Sequence, residues 1–299
     1  MERHKPVLLD KVIEVLQPQV GESFADVTGG WGGHSAALLD AVGKSGFGYI
    51  FDQDSAAIAA LEQRFSSAEN VAIVKANFTN DEFTDKVPNV HMILADLGVS
   101  SPQLDLPQRG FSFRSEGPLD MRMNQEQSLN AADIVNTYRE DEIAKILYEY
   151  GEERASRRIA RSLVMARKVK PITTTTQLAN IVSEQIKTTG RIHPATKTFQ
   201  ALRIAVNGEL TVLERFLEIA PSKLVSGGRI AIISFHSLED RLVKNCFRSL
   251  STADRDNYGQ IVSEPSFKRI TKKPILGSKF DSNNPRARSA KLRCLERIN

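Results

Sequence analysis

The segment Ser23-Phe24-Ala25-Asp26-Val27 is short and apolar, and it runs without a break into Thr28-Gly29-Gly30-Trp31-Gly32-Gly33-His34. A strand that ends in a glycine-rich turn and leads into a helix lets backbone approach a ligand closely, because glycine has no Cβ to hold the ligand away. A second strand, Phe47 to Phe51, ends at Asp52, about twenty residues beyond the turn, where a carboxylate can grip ribose hydroxyls. Together these features predict a nucleotide-shaped pocket in an α/β fold.

The pattern continues with helices predicted over Ser35 to Val42 and Ser55 to Phe65, and strands over Val71 to Val74 and Val90 to Ala95, the last ending at Asp96. Strands alternating with helices imply a parallel, doubly wound sheet. Beyond Leu97 the alternation stops. A loop rich in Gly, Ser, Pro and Arg reaches about Arg114, and helical patterns follow near Ala131 to Thr137, Glu140 to Tyr148, Glu153 to Lys168 and Thr176 to Lys187. The strand pattern resumes at Arg229 to Ile233, after a helix that begins near Thr196. The expected organisation is a sheet domain formed by residues 1–107 and 196–299, interrupted by a helical insertion at 108–195. Open α/β sheets bind ligands at the carboxyl ends of their strands, so Gly32, Asp52, Asp96 and the loop Ser234-Phe235-His236-Ser237 are expected to converge. The insertion leaves from that edge and would cover or select a substrate.

Both dinucleotide and S-adenosylmethionine (SAM) sites use this glycine turn and acid, so the choice of cofactor rests on residues downstream. Asp96-Leu97-Gly98-Val99-Ser100-Ser101-Pro102-Gln103 sits where methyltransferases acting on exocyclic amines keep an acid or amide followed by proline. The N4 lone pair of cytosine is delocalised into its ring, so attack on a sulfonium methyl needs acceptors that hold the amino hydrogens and favour a more tetrahedral nitrogen. Asp96, Ser100 and Ser101 offer such acceptors, although a turn carboxylate and helix-capping serines are ordinary uses of the same residues. Methylation at cytosine C5 needs a cysteine thiolate near such a proline, and Pro102 precedes Gln103 instead. Phe78, after the third strand, suits an adenine ring or the core, and Trp31 suits the pocket or the sheet edge. His34 and His236 are ligands or hydrogen-bonded structural histidines.

At 299 residues and 41% hydrophobic the chain can bury a sizeable core. No apolar run is long enough to span a bilayer, and Met1-Glu2-Arg3-His4-Lys5 leads into no secretory apolar stretch, so the expected location is the cytoplasm. Cys246 and Cys294 lie far apart with no ligand at metal spacing, and no metal site is expected. The net charge of +4 is unevenly placed. Residues 154–170 carry seven Lys/Arg and no acid, and residues 265–299 carry ten against two acids. Arg154, Arg157, Arg158 and Arg161 fall at helical i, i+3, i+4 and i+7 spacing, an acid-free face suited to nucleic-acid phosphates. Asn284-Pro285-Arg286-Ala287-Arg288-Ser289-Ala290-Lys291 is a second candidate clamp.

Several further motifs carry a family resemblance: Gly30 to Ser35, Asp96 to Gln103, Arg109-Gly110-Phe111-Ser112-Phe113, Gly117 to Met123, Tyr150-Gly151-Glu152-Glu153, His193-Pro194-Ala195-Thr196, Ile233 to Arg241 and Asn284 to Lys291. With these, nearly the whole chain resembles the RsmH (MraW) family, SAM-dependent methyltransferases of small-subunit (16S) ribosomal RNA that act on cytidine N4. The resemblance implies a Rossmann-type SAM methyltransferase sheet with an inserted helical domain that helps recognise RNA, and a partly assembled small subunit as partner. It implies SAM contacts at Gly32, Gly33, His34, Asp52, Phe78, Asp96 and Gln103, the last on resemblance alone. Catalysis falls to Asp96 with Ser100 and Ser101, and RNA binding to Arg157, Arg158, Arg286 and Arg288. Val27, Lys197 and Trp31 depart from what is usual in the family. An amine methyltransferase on another target and a nonenzymatic RNA-binding assembly factor remain alternatives.

Overall fold

The computed structural model describes residues 6–78, 81–186 and 193–299; the amino-terminal Met1 to Lys5 and the predicted helix end at Lys187 fall outside them. The chain folds as two compact units, Met1–Gly98 with Leu210–Asn299, and Val99–Glu209.

The first unit begins with α1 (Leu9–Leu16), β1 (Ser23–Asp26), α2 (Gly33–Val42), β2 (Phe47–Asp52), α3 (Ser55–Arg64), β3 (Val71–Lys75), α4 (Asp81–Lys86) and β4 (Val90–Asp96). The chain then builds the second unit from α5 (Ser101–Asp105), α6 (Ala131–Thr137), α7 (Glu140–Gly151), α8 (Ser156–Val169), α9 (Thr175–Gln185) and α10 (Thr196–Asn207). It returns through α11 (Glu209–Ile219), β5 (Leu224–Ser234), α12 (Ser237–Leu250), the hairpin β6 (Asp254–Arg255) and β7 (Ile261–Ser263), β8 (Phe267–Arg269), β9 (Ile275–Leu276), α13 (Gly277–Phe280) and β10 (Lys291–Arg297).

The main sheet has the order β3-β2-β1-β4-β5-β10-β8, with β9 also on β10. Strands β1 to β5 run parallel, and β10 is antiparallel to both β5 and β8. Because β1 and β4 are neighbours while the chain winds outward from them in opposite directions, the switch point falls between them. The side chains of successive strand residues enter different cores, as period-two geometry requires. Ile93, Ala95, Ile230 and Ile232 join Phe83, Phe216 and Phe247 of α4, α11 and α12 on one face. Met92, Leu94, Ala231 and Ile233 join Val12, Leu38 and Leu61 of α1, α2 and α3 on the other. A parallel sheet covered on both faces explains why its central strands read as continuous apolar runs.

The second unit has its own helical core, including Ile134, Ile143, Leu147, Ile159, Leu163 and Leu178. Its limits are wider than the sequence boundaries at 107/108 and 195/196. Helix α10 belongs to it because Phe199, Ala201, Leu202 and Val206 are buried in that helical core and the helix packs on α7. The short α5 belongs to it as well, through Leu104. Among the described residues no helix is long and apolar enough to cross a membrane.

Candidate active site

The glycine turn is pressed against β2. The Gly29 amide donates to the Phe51 carbonyl at 2.7 Å, and a Cβ on Gly29 would stand 2.5 Å from Ile50 Cγ2 and 2.9 Å from Leu61 Cδ1. Gly32, the N-cap of α2, has φ +73°, a left-handed conformation that side chains rarely adopt. Gly33 opens α2 itself, against Pro6. The turn is therefore shaped by close approach and by backbone sign, and its composition follows from both. Trp31 at its tip is 49% exposed, and its carbonyl accepts from Arg64 Nη1 at 3.1 Å.

Asp52 closes the turn from β2. Its Oδ2 accepts the Gly30 amide at 2.8 Å and its Oδ1 the Asp54 amide at 2.8 Å. Each oxygen keeps a lone pair for a further donor. Burial, reinforced by the neighbouring Asp54 and Asp26 charges and only partly offset by these hydrogen bonds, pushes its carboxyl up to about 6. Past β3, the Ala76 amide donates to the Asp52 carbonyl at 3.0 Å, which brings the following segment alongside β2. There Phe78 is half-buried, edge-on to Phe216 with ring centroids 5.0 Å apart.

Asp26, 1% exposed at the end of β1, ties the switch point together. It accepts from the Ser35 hydroxyl at 2.5 Å and the Thr28 amide at 3.2 Å, while Thr28 Oγ1 accepts the Asp96 amide at 2.6 Å. Burial raises the Asp26 carboxyl above its ordinary range. Sequence reasoning passed over Asp26 and Thr28 as site residues. Their signal was an acid at the last position of a strand directly before a glycine turn.

At the end of β4 the Asp96 side chain is 23% exposed, yet its Oδ1 is buried and has no hydrogen-bond partner among the described residues. His34 stands beside it, with Nδ1 3.6 Å from Asp96 Oδ2 and Nε2 2.9 Å from the Val7 carbonyl. A carbonyl only accepts, so Nε2 carries a hydrogen, and Nδ1 is the ring nitrogen that faces Asp96. Burial pushes Asp96 up to about 6, with His34 opposing and the Asp26 and Glu239 charges adding to the rise. Glu239, 2% exposed, accepts the Phe235 and His236 amides at 2.7 and 3.2 Å in the loop after β5. His236 caps α12, its side chain accepting from the Glu239 amide. These histidines thus divide: His34 faces the site, while His236 shapes a helix end.

The sheet unit accordingly gathers Gly32, Gly33, His34, Asp52, Phe78 and Asp96 on the carboxyl edge of its parallel strands. Ser100, Ser101 and Gln103 lie in the second unit, immediately after the chain leaves β4. Ser100 is the N-cap of α5, and the Gln103 side chain accepts the Ser100 amide at 2.9 Å, so Gln103 holds that first turn. Other motifs of the second unit are internal ties. Arg109 donates to the Arg122 and Met123 carbonyls, Arg122 grips Asp120 through two hydrogen bonds, and the Phe113 ring stacks on His193 at 4.5 Å. On α8, Arg157, Arg158 and Arg161 are exposed opposite buried Ile159, Ala160 and Leu163, whereas Arg154 stands in the turn before the helix. Arg288 is exposed and Arg286 half-buried in the 3-10 turn Pro285–Ser289.

The site fits SAM on structural grounds. Asp52 has acceptor capacity left for ribose hydroxyls, the glycine turn leaves backbone near them, and the unpartnered Asp96 oxygen awaits a donor. A doubly wound sheet with an antiparallel β10, bearing this turn and these acids, defines a SAM-dependent methyltransferase. The chain belongs to the MraW methylase family, whose description matches residues 1–298. It is 49% identical to the ribosomal RNA small subunit methyltransferase H of Cyanothece sp., over 99% of this chain and 95% of that protein. It is 48% identical to the protein of the same name from Trichormus variabilis, over 98% and 92%. A solved rRNA methylase from Streptococcus thermophilus aligns with a TM-score of 0.38 and 14% identity, covering 97% of this chain and 94% of that one.

The raised carboxyls have a consequence for ligand binding. If ionised Asp52 and Asp96 receive SAM donors, protonation competes with the ligand below pH 6. SAM affinity is expected to hold steady above pH 7 and to weaken about tenfold per pH unit per group below about 6. Calorimetric titrations across this range check it, and a flat profile down to pH 5 would remove both carboxylates from the SAM contact.

Proposed function

We propose that this chain transfers the methyl group of SAM to N4 of a cytidine in small-subunit (16S) ribosomal RNA. The observation that carries the reading is the buried, unpartnered Oδ1 of Asp96 at the end of β4, in a chain of the MraW methylase family. The name shared by its relatives, ribosomal RNA small subunit methyltransferase H, supports the choice of RNA.

When bound, SAM supplies a methyl group already activated by positive sulfur, so the protein's task is positioning rather than covalent attack. Asp96 Oδ1 accepts an amino hydrogen of the base, drawing the nitrogen lone pair out of the ring. With its carboxyl near 6, Asp96 is a stronger base than an ordinary aspartate and suits the proton the amine must lose. His34 orients Asp96 from its other oxygen. Ser100 and Ser101 supply further acceptors from the loop after β4, and Gln103 keeps that loop in shape. The cysteines take no part. Burial pushes Cys246 up to about 11 and Cys294 up to about 12, which leaves no thiolate for attack at cytosine C5.

A base inside a continuous duplex cannot reach the strand edge, so the target is an unstacked nucleotide in an irregular or partly assembled subunit. Such a substrate places the activity in the cytoplasm. The helical unit holds the RNA backbone through Arg157 and Arg158, and the carboxyl-terminal turn through Arg286 and Arg288. Reversing either pair is expected to weaken RNA binding and to lower its log-log salt slope by somewhat under one unit per phosphate contact, about 0.7 to 0.9, with SAM affinity unchanged. Wild-type affinity and slope in both double variants would mean that the RNA docks elsewhere.

The reading is tested on small subunits from a strain lacking this gene, incubated with the protein and SAM and digested for nucleoside mass spectrometry. N4-methylcytidine is the expected product. A methylated adenosine, or RNA binding without any methylated nucleoside, would overturn it.

A further inference from the structure

We propose that a basic cleft between α12 and the segment joining β8 to β9 is a second RNA-docking site, one that takes phosphodiester backbone flanking the target nucleotide. The proposal rests on the reading of RNA as substrate and concerns residues that reading does not use.

The cleft encloses about 280 Å³ in the sheet unit. Lys244 and Arg248 of α12 form one wall, and Arg269, Lys272 and Lys273 the other, with Arg293 of β10 between them. Lys244 and Arg248 stand one helical turn apart on the same face, with Phe247 buried beneath. These five wall residues are exposed, and none forms an ion pair among the described residues. The acid within reach is already engaged: Asp240 accepts from Arg293 Nε at 2.7 Å and from Lys291 Nζ at 3.1 Å. Those two cations hold its carboxyl below the ordinary range against the effect of burial. Arg293, 8% exposed, is thereby a fixed member of the cleft rather than a free counter-charge.

Cations gathered this closely repel one another, and a solvated helix face ordinarily interleaves signs. The arrangement suits a polyanion. A single phosphate monoester brings a charge of about −2 and leaves roughly three of the five exposed cations without a counter-charge. A run of phosphodiesters, each with one charge, matches them along both walls. Six of the nine lining residues are cations, and Phe247 and Pro274 supply its apolar surface.

Position supports backbone rather than base recognition. Helix α12 starts at Ser237, next to the strand edge that carries Asp96, and Lys244 and Arg248 lie 7 and 11 residues further on. At helical rise that displaces them about 10 to 16 Å from the edge, room for neighbouring nucleotides of a strand whose target base is turned into the site.

The test uses full-length protein with Lys244→Glu/Arg248→Glu and Lys272→Glu/Lys273→Glu, and Lys272→Gln/Lys273→Gln as a milder pair, each checked for an unchanged melting temperature. Fluorescence anisotropy with a short single-stranded RNA across a salt series reads binding, and calorimetry reads SAM. Each reversed pair is expected to weaken RNA binding about tenfold or more at low salt and to flatten the slope by about 1.4, with SAM affinity unchanged. Inorganic phosphate should displace the RNA no better than sodium chloride of equal ionic strength. Wild-type protein that binds RNA while both reversed pairs bind equally well would overturn the cleft alone. Displacement by phosphate beyond its ionic strength, lost in the variants, would also overturn it, as a site for a free anion. Wild-type protein that binds no RNA would overturn the cleft, while the substrate reading stands or falls separately on the nucleoside analysis of small subunits.

Discussion

Asp96→Asn is expected to leave a folded protein whose single-turnover methylation rate is about 10²- to 10⁴-fold lower, the range lost when a positioned acid-base group is removed. Asp96 is set apart from a structural carboxylate by its effect on stability. Its carboxyl sits near 6 in the folded chain against 3.8 in the open chain. The folded state thus binds a proton more readily, and the contribution of this group to stability falls as pH rises from about 4 to about 6. At neutral pH the ionised group costs about 2 to 3 kcal/mol. Its Oδ1 gains no protein hydrogen bond in return. Asparagine removes the charge and keeps the shape, so the variant should melt no lower than the parent at pH 7 and should lose the fall between pH 4 and 6. A carboxylate kept for structure would behave in the opposite way. Loss of rate without loss of stability is therefore the expected signature, and a near-normal single-turnover rate in Asp96→Asn would remove Asp96 from the mechanism.

Asp96 was legible in the sequence because parallel sheets put their chemistry at strand ends, and the apolar run Val90 to Ala95 stops at that acid. The same rule located Asp52 and the glycine turn, and two-face burial explains why β1, β2, β4 and the end of β5 read so clearly. Other parts carried no such pattern. Helix α1 is flanked by residues in left-handed backbone conformation, Leu8 and Gln17, which no turn motif announces. The strands β6 to β9 are two or three residues long, too short for alternation to register. The assignment of α5 and α10 to the helical unit depends on which core receives Leu104 and Phe199, a tertiary choice that periodicity leaves open. Arg154 fitted a helical wheel with Arg157, Arg158 and Arg161, yet α8 begins only at Ser156. Asp26 and Thr28 join β1 to β4 through a side chain and a strand pairing distant in sequence, so their part in the site becomes visible only once the sheet order is known.

The second large effect concerns the cofactor. Asp52→Ala is expected to weaken SAM binding by about 1 to 3 kcal/mol, about 5- to 150-fold, because ribose hydroxyls lose a charged acceptor. Alanine has a further consequence here, since the Gly30 and Asp54 amides also lose the oxygens they donate to. The glycine turn would then loosen, and the affinity loss would mix ligand contact with turn geometry. Asp52→Asn separates the two: its one remaining oxygen can keep one of these amides, while the charge that answers the ligand is gone. If the carboxylate contacts ribose directly, Asp52→Asn should retain the melting temperature of the parent at pH 7 and still lose affinity about fivefold or more. Its SAM profile should also be less steep below pH 6, because Asp96 alone continues to titrate there. If turn geometry were the whole contribution, asparagine would bind SAM nearly as well as aspartate while alanine bound poorly. Parent-like affinity in both variants by calorimetry would place the ribose away from β2 altogether, and the acid that ends this strand would then serve only to hold the glycine turn against it.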